Sequence, residues 1–320
     1  MNNLVLVALG GNAFQSKGDK GSVEDYFRNA SIAAEAIVRM IKEGYRVVVT
    51  HGNGPQVGLV AEWMIAGFEK GFEMMTLDIA GAMTQGWLGY ILQQSILNKL
   101  IEEKLLGDVV KGVVTIVTQT IVDLKDPAFG NPTKFIGPWY ENEEVIAKLA
   151  SRYGWSYKPD PRGGYRRVVS SPDPVAQVEV DAIRTLINSG YIVIASGGGG
   201  IPVCRGENGL FRGVEAVIDK DLAGERLATA LGAEIYMILT DVDYVYIDYG
   251  KPSQKPIRSM KVSEAEKYYE AGMYPPGSMG PKILACIRFI RNGGKIAIIA
   301  HLNSAYEALI GLSGTRILPD

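Results

Sequence analysis

The chain has 320 residues, 47% of them hydrophobic, which is enough for one large α/β unit or for two lobes sharing a sheet. Its 33 basic and 35 acidic residues give a formal charge of −2, so no basic surface of the kind that binds nucleic acid is expected. Cys204 and Cys286 fit no C-x-x-C pattern, and two buried thiols are a better interpretation than a disulfide. No apolar run reaches the roughly 18 residues of a membrane span. We therefore expect a cytoplasmic protein that binds small molecules.

Apolar, β-branched runs alternate with helical patterns along the chain. The predicted strands are Leu4–Leu9, Arg46–Thr50, Val113–Thr118, Tyr191–Ala195, Ile235–Thr240 and Lys295–Ala300. The predicted helices are Val23–Lys42, Pro55–Ala66, Leu77–Leu105, Val178–Asn188, Leu222–Leu231 and Lys282–Arg291. Near-continuous apolar strands suit a sheet that is buried on both faces. The alternation therefore predicts an α/β fold in three layers, with an open, mostly parallel sheet between helices.

Residues 123–169 interrupt this alternation with five prolines and one short helical pattern near Glu141–Arg152. A structureless loop of that length is improbable in a compact domain, so we predict an inserted subdomain or lid that protrudes from the fold. We expect an N-terminal lobe of residues 1–215, which contains this insert, and a C-terminal lobe of residues 216–320. The segment Tyr249–Pro256 is typical of a hairpin or loop.

Glycine-rich turns follow three predicted strands, and Asp241 follows a fourth. Gly10-Gly11 either brings the backbone close to a phosphate or makes an ordinary turn. In His51-Gly52-Asn53-Gly54-Pro55 the start of a helix offers an anion site, although Asn53 could simply cap that helix. The run Gly197–Gly200 lies between apolar segments, which indicates close approach of the backbone to a ligand. Loops after parallel strands meet at one sheet edge, so we expect these turns to converge there.

Three lysines, Lys134, Lys220 and Lys282, stand beside glycine, proline or aspartate instead of on a solvated helical face. A single lysine of this kind usually faces solvent, but three favour phosphate binding. Asp219 could position these ammonium groups, hold Mg²⁺ or cap the following helix. A P-loop motif and a strand-linked G-x-G-x-x-G are absent, and no His/Cys cluster indicates zinc. A lone histidine is more often structural than catalytic, so His51 is not assigned as a base.

Several segments, in this order along the chain, resemble the amino-acid kinase family from about Leu4 to Thr315. The most specific are Leu9–Ala13, Thr50–Gly58, Gln85–Trp87, Asp126–Phe129, Asn131–Lys134, Ala216–Asp221 and Gly277–Lys282. Within that family the chain is most similar to members that phosphorylate carbamate. Many members of the family carry a catalytic lysine near the first glycine turn, where this chain has Asn12. In the members that phosphorylate carbamate, a lysine of the insert that matches Lys134 takes its place. Phe135, Tyr165 and Ser170 depart from the usual residues of the insert and its return strand, which affects details of the lid.

The resemblance implies a homodimer with one open eight-stranded sheet. It implies that the N-terminal lobe binds carbamate or carbamoyl phosphate and that the C-terminal lobe binds ATP or ADP. Mg²⁺ is expected through the nucleotide phosphates, without dedicated protein ligands. The implied reaction is reversible transfer of a phosphoryl group from ATP to carbamate, which gives ADP and carbamoyl phosphate.

The resemblance also assigns roles to individual residues. Lys134 and Lys220 would contact the transferring phosphoryl group, Lys282 the nucleotide phosphates, and Asp219 would orient the lysines. The residues implied for substrate and phosphate binding are Gly10, Gly11, Asn12, Gly52, Asn53, Gly54, Gly197 and Gly198. Those implied for nucleotide binding are Asp241, Tyr244, Gly277, Met279 and Gly280.

Two other functions stay open at this point. One is a kinase of another carboxylate, such as an acylated amino acid, whose tail could be held by Arg162, Arg166 and Arg167. The other is a nucleotide-binding regulator without turnover, although the presence of all three lysines argues against it.

Overall fold

The structure is a computed structural model that describes residues 3–16, 18–160, 163–275 and 277–320, without the side chain of Asn12. In chain order the elements of these residues are β1 (Leu4–Leu9), α1 (Val23–Lys42), β2 (Arg46–His51), α2 (Gly54–Glu69), α3 (Leu77–Glu102), β3 (Gly112–Thr115), β4 (Gln119–Ile121), β5 (Lys134–Tyr140), α4 (Glu143–Tyr153), β6 (Ser156–Pro159), β7 (Tyr165–Val169), β8 (Ala176–Gln177), α5 (Val180–Asn188), β9 (Tyr191–Ile194), β10 (Ile201–Arg205), β11 (Phe211–Gly213), α6 (Lys220–Leu231), β12 (Ile235–Thr240), β13 (Val245–Ile247), β14 (Lys255–Ile257), β15 (Ser259–Lys261), α7 (Val262–Glu270), α8 (Met279–Arg291), β16 (Ile296–His301), α9 (Ala305–Leu309) and β17 (Thr315–Leu318).

Eight of the described strands form the central sheet, in the order β15-β17-β16-β12-β1-β2-β9-β3. All neighbours are parallel except β16 and β17, which run antiparallel. The six predicted strands all lie in this sheet, so the predicted α/β class and its mostly parallel sheet are confirmed. The two short strands β15 and β17 complete one edge and were not predicted.

Helices cover both faces of the sheet. Every residue of β1 is buried, and successive side chains point to opposite faces. Val5, Val7 and Leu9 belong to one buried cluster, which also contains residues of α1 and α3. Leu4, Leu6 and Ala8 belong to a second cluster with residues of α6 and α8. The central strands are therefore apolar throughout because each face meets a separate core.

Helix ends follow local sequence signals. Ser22 caps α1 and accepts a hydrogen bond from the backbone of Asp25 at 3.2 Å, in a reciprocal capping box. Gly232 ends α6 in the left-handed conformation, with φ of 70°.

Within the described ranges, no helix is both long enough and apolar enough to span a bilayer. Cys204 and Cys286 are buried free thiols.

Three smaller sheets of the described residues lie outside the central one. β11-β10-β4-β8 form a four-stranded sheet, and β5-β7-β6 form an antiparallel sheet that carries α4. The short helix expected near Glu141–Arg152 is α4. Strands β13 and β14 pair antiparallel, and β14 begins at Lys255, within the segment Tyr249–Pro256 that was expected to be a hairpin or loop. The boundaries of the two lobes and of the insert stay predictions.

Candidate active site

A cleft of about 380 Å³ lies where β1, β2 and β12 end at their carboxyl edge. It brings together most of the predicted site residues. Those that line it are Gly10, Gly11, Gly52, Asn53, Gly54, Lys134, Gly198, Asp219, Lys220, Asp241, Gly277 and Lys282. Parallel neighbours place their following loops side by side, which explains why turns so distant in sequence meet here.

Two of the lysines share one carboxylate, that of Asp221. Its Oδ1 lies 2.5 Å from Nζ of Lys220, and its Oδ2 lies 2.7 Å from Nζ of Lys282. The Asp221 side chain is only 4% exposed, and the two lysine side chains are nearly buried. Sequence reasoning did not select Asp221, because an acidic residue in the first turn of a helix is ordinary. The structure makes it the link between the two ammonium groups.

The protonation states of this trio follow from burial and mutual attraction. Burial alone would raise the pKa of Asp221, but the ammonium groups of Lys220 and Lys282 outweigh it and hold that pKa well below its usual range. Burial lowers the pKa of Lys220, only partly offset by Asp221. For Lys282 burial also acts to lower the pKa, but attraction to Asp221 prevails and raises it. Asp221 therefore stays ionised, and Lys220 is the easier lysine to deprotonate.

The two carboxylate oxygens of Asp219 contact different partners. Oδ2 lies 2.9 Å from Nζ of Lys134, while Oδ1 accepts from the backbone N–H of Asp221 at 2.9 Å and caps α6. Both interpretations from the sequence, as a cap and as an orienting carboxylate, thus describe real contacts. The described ion pairs of Asp219 reach only Lys134, and Asp221 makes the contacts to Lys220 and Lys282.

Two side chains of α3 hold the turns that follow β2 and β9. Asn53 does not cap α2 with its side chain; its Nδ2 donates to Oγ1 of Thr84 at 2.8 Å. Nε2 of Gln85 donates to the carbonyls of Thr118 and Gly197, at 3.1 and 3.0 Å. All these groups are buried, so the bonds are shielded from water. Two adjacent residues of one helix therefore fix two separate turns.

The run Gly197–Gly200 is packed more closely against protein than against the cleft. A Cβ on Gly197 would lie 2.5 Å from Nε2 of His51, and one on Gly198 would lie 2.2 Å from Nδ2 of Asn53. Only Gly198 of this run lines the cleft, while Gly197 lies behind it. The glycines allow the turn to pack directly on the last residue of β2 and on the turn that follows it.

His51 does not line the cleft. Its ring is buried, lies edge-on to Phe14 with centroids 5.3 Å apart, and has its Nδ1 3.0 Å from the carbonyl oxygen of Gly52. Burial lowers the pKa of His51 from 6.5 to about 4, so the imidazole is neutral at physiological pH. This agrees with the interpretation of His51 as a structural residue.

A second cavity of about 230 Å³ adjoins the cleft and shares Asp241 and Lys282 with it. Tyr244 and Met279 line it, together with three further tyrosines, Tyr246, Tyr249 and Tyr274. Flat aromatic walls beside a lysine suit the base of a nucleotide whose phosphates extend into the cleft. Gly280 lines neither cavity; it packs against the carbonyl of Pro275. The side chain of Asn12 lies outside the described residues.

Arg166 and Arg167, two of the arginines considered for an acceptor's tail, form ion pairs outside the cleft. Arg166 lies 3.3 Å from a carboxylate oxygen of Asp160, and Arg167 lies 3.2 Å from one of Glu215. Arg167 also stacks on Trp155, with its guanidinium carbon 4.5 Å from the ring centroid. Neither arginine lines the cleft. Arg162 lies outside the described residues.

Comparison with known proteins gives a consistent family. The profile of the Amino acid kinase family matches residues 3–301. A carbamate kinase of Pyrococcus horikoshii is 54% identical over 320 residues and covers 100% of both chains. A carbamate kinase of Trichomonas vaginalis is 46% identical and covers 99% of each.

A solved structure has the same fold. Carbamate kinase from Giardia lamblia bound to AMP-PNP superposes with a TM-score of 0.90, at 42% identity, over 99% of this chain and 98% of that one. The family profile spans most of the chain, and these relatives match it from end to end. The chain therefore belongs to the amino acid kinase family.

Proposed function

We propose that this chain is a carbamate kinase, which transfers a phosphoryl group reversibly between ATP and carbamate. The observation that carries the proposal is the meeting of Lys134, Lys220 and Lys282 in one cleft beside a tyrosine-lined cavity. The relatives that match the whole chain bear the same name, and one was solved with an ATP analogue.

The mechanism rests on positioning and electrostatics. A carbamate oxygen attacks the γ-phosphorus of ATP in line; the new O–P bond forms as the bond to the ADP oxygen breaks. Lys134 and Lys220 contact the transferring group, and Lys282 holds the nucleotide phosphates. Backbone N–H groups after β1 and at the start of α2 bind the anionic oxygens. Asp221 and Asp219 keep the three ammonium groups in place before substrate arrives.

No general base is required, because the attacking carbamate oxygen already carries negative charge. The neutral, enclosed ring of His51 agrees with a site that moves no proton. The task is to bring two anions together and to neutralise the equatorial oxygens of the transferring group. The same contacts serve the reverse reaction, because both directions pass through one transition state.

Mg²⁺ is proposed to enter with the nucleotide. Among the residues that the structure describes, no three or more His, Cys, Asp or Glu side chains form a group able to hold a metal. Mg²⁺ commonly binds through one or two carboxylates plus substrate phosphates. Asp219 and Asp241 both line the cleft, and Asp241, which forms none of the described ion pairs, is the carboxylate available for such a shared site. When bound, the ion would neutralise charge on the nucleotide phosphates.

A homodimer is proposed through the outer face of α3. Ile79, Met83, Tyr90 and Ile101 are exposed and follow one side of that helix at helical spacing. A row of large apolar side chains of this kind is typical of an interface. We expect Met83→Lys to convert a dimer to monomer by light scattering, and Val145→Lys, at an exposed apolar site on α4, to leave the mass unchanged. An unchanged mass for both would exclude this face.

A cytoplasmic location is also proposed. Two buried cysteines that form no disulfide suit a reducing compartment. Fractionation of the native cells, with antibody against the chain, would test it.

The deciding experiment measures ATP formation from ADP, Mg²⁺ and carbamoyl phosphate. We expect rapid ATP synthesis that falls on the order of 10²–10³-fold in Lys220→Ala, because one preorganised charge is lost. Lys148→Ala, which removes an exposed lysine of α4, serves as the control and keeps full activity. Absence of ATP synthesis by the wild type would refute the carbamate assignment.

A kinase of another carboxylate is the competing function. Its acceptor needs a group for the tail, but Arg166 and Arg167 are engaged with Asp160 and Glu215 away from the cleft. Carbamate, acetylglutamate, glutamate and aspartate should be compared as acceptors with ATP. Turnover with an amino acid that exceeds turnover with carbamate would favour the competitor.

A further inference from the structure

One glycine of α2, Gly58, lies directly against the backbone of strand β5. A methyl group placed on Gly58 would lie 2.9 Å from the backbone nitrogen of Gly137 and 3.0 Å from its Cα. Gly58 is buried, and Gly137 lies where the register of β5 is irregular, with a φ of 70°. The two backbones therefore touch without a side chain between them.

A glycine inside a helix, as at position 58, destabilises that helix and so needs a structural explanation. Glycine costs a helix about 1 kcal/mol relative to alanine. Gly67, also in α2, has room for a methyl group, with the nearest atom 3.8 Å away in the side chain of Phe72. Gly58 has no such room, and the atoms it would strike are backbone, which cannot rotate away. The close approach of β5 is what excludes a side chain there.

Strand β5 begins at Lys134, three residues before the contact. From that position Lys134 reaches across to Asp219, 2.9 Å away, on the other side of the cleft. Helix α4, which packs on this small sheet, is held to the end of α2, where Glu69 lies 3.3 Å from Arg152. β5 thus packs along α2, and the distance between the two backbones is set at Gly58.

We propose that Gly58 is a positioning residue, which lets β5 rest on α2 at the depth that brings Lys134 to the transferring phosphoryl group. This inference rests on the proposed function, because it acts through the role given to Lys134. A side chain at position 58 must push β5 outward by several tenths of an ångström. Displacement of a catalytic group by up to 1 Å can cost about 10²-fold in rate.

The test is a double-mutant cycle between Gly58→Ala and Lys134→Ala. Gly58→Ala should lower kcat about 10–100-fold, with little change in the Kd for ADP, since the tyrosine-lined cavity does not include α2. Lys134→Ala should lower kcat on the order of 10²–10³-fold. The double variant should be no slower than Lys134→Ala alone, because the glycine acts through that lysine.

Two controls separate positioning from folding. Gly67→Ala makes the same change at an open site of the same helix and should keep wild-type kcat. The unfolding temperature of Gly58→Ala should not fall, because the gain in helix propensity offsets the displaced contact. Gly58→Ser carries the same Cβ on a weaker helix former and should show the same loss of kcat.

Each outcome decides the proposal. It is overturned if Gly58→Ala keeps kcat within a factor of two, if its loss adds to that of Lys134→Ala, or if it unfolds well below the wild type. If Lys134→Ala is itself fully active, the proposed role of Lys134 is wrong. That result is distinguishable from failure of the Gly58 inference alone, because Lys134→Ala is still impaired in each of the three outcomes that overturn the role of Gly58.

Discussion

Replacement of Asp221 by asparagine tests whether one carboxylate sets the charge and position of two lysines. The change removes two ionic contacts of 2.5 and 2.7 Å from a side chain that is 4% exposed. Hydrogen bonds to charged groups contribute about 1.5–3 kcal/mol each, and removal of one partner from a buried pair costs about 3–5 kcal/mol. We therefore expect Asp221→Asn to lower the free energy of unfolding by at least about 3 kcal/mol.

The effect on activity has a definite dependence on pH. Without Asp221 the attraction that raises the pKa of Lys220 is lost, while burial and repulsion by Lys282 continue to lower it. A lysine with a lower pKa loses its proton earlier as the pH rises. The alkaline decline of kcat should therefore begin at a lower pH in Asp221→Asn than in the wild type. At neutral pH kcat should be lower on the order of 10²–10³-fold.

The assay is ATP synthesis from carbamoyl phosphate across the pH range, with thermal unfolding measured on the same samples. Added sulfate should stabilise Asp221→Asn more than the wild type, since two lysines then lack a counter-ion and bind the anion. Asp181→Asn is the control, because the Asp181 side chain is 96% exposed and its described ion pair is with Arg184, also at the surface of α5. A folded Asp221→Asn with wild-type kcat and the same alkaline limb would refute the reasoning.

Two more predictions concern the turns beside the cleft. Thr84→Val removes the acceptor for Nδ2 of Asn53 and should lower kcat/KM about tenfold, whereas Thr84→Ser should keep the wild-type value. Ser95→Ala, which removes another buried hydroxyl of α3, should change kcat/KM little. Equal losses of kcat/KM in all three variants would exclude a positioning role for Thr84. His51 has a folded pKa of about 4 against 6.5 in the unfolded chain, so the unfolded state binds more protons between these values and stability falls as the pH drops through that window, by about 2 kcal/mol from pH 7 to pH 5. Urea unfolding of wild type and His51→Asn at both pH values measures this loss, and an equal loss in the variant would contradict it.

The central sheet could be predicted from sequence because burial on both faces leaves an unambiguous signal. Leu4–Leu9 and Ile235–Thr240 match β1 and β12 residue for residue, and α1 was predicted with its observed bounds. The small strands gave no such signal. β8 has two residues and β11 has three exposed ones, so neither periodicity nor apolar content marks them. Their pairing depends on neighbours far away in the chain.

The site shows the same limit at the level of single residues. Glycine and lysine in unusual contexts pointed to the cleft, because each carries a local cost or a local charge. The charge of Asp221 in the first turn of a helix and the hydroxyl of Thr84 within a helix are both ordinary in a sequence, and their importance arises from what α8 and the turn after β2 place beside them. Gly197 looked like a ligand contact, but the three-dimensional packing makes it a contact of His51. The sequence cannot distinguish two close approaches when both exclude a Cβ.

The charged residues that line the cleft in the described structure are three lysines and three aspartates, namely Lys134, Lys220, Lys282, Asp219, Asp221 and Asp241. Their formal charges cancel, and the whole chain is close to neutral. An anionic substrate at a distance therefore meets little net attraction, and discrimination takes place only at contact, through oriented N–H and ammonium groups. Electrostatic steering depends on net local charge and weakens with ionic strength. The association rate constant of the nucleotide should accordingly change little between low salt and physiological salt. In an enzyme whose site carries a net charge opposite to that of its substrate, this rate constant would fall as salt is added.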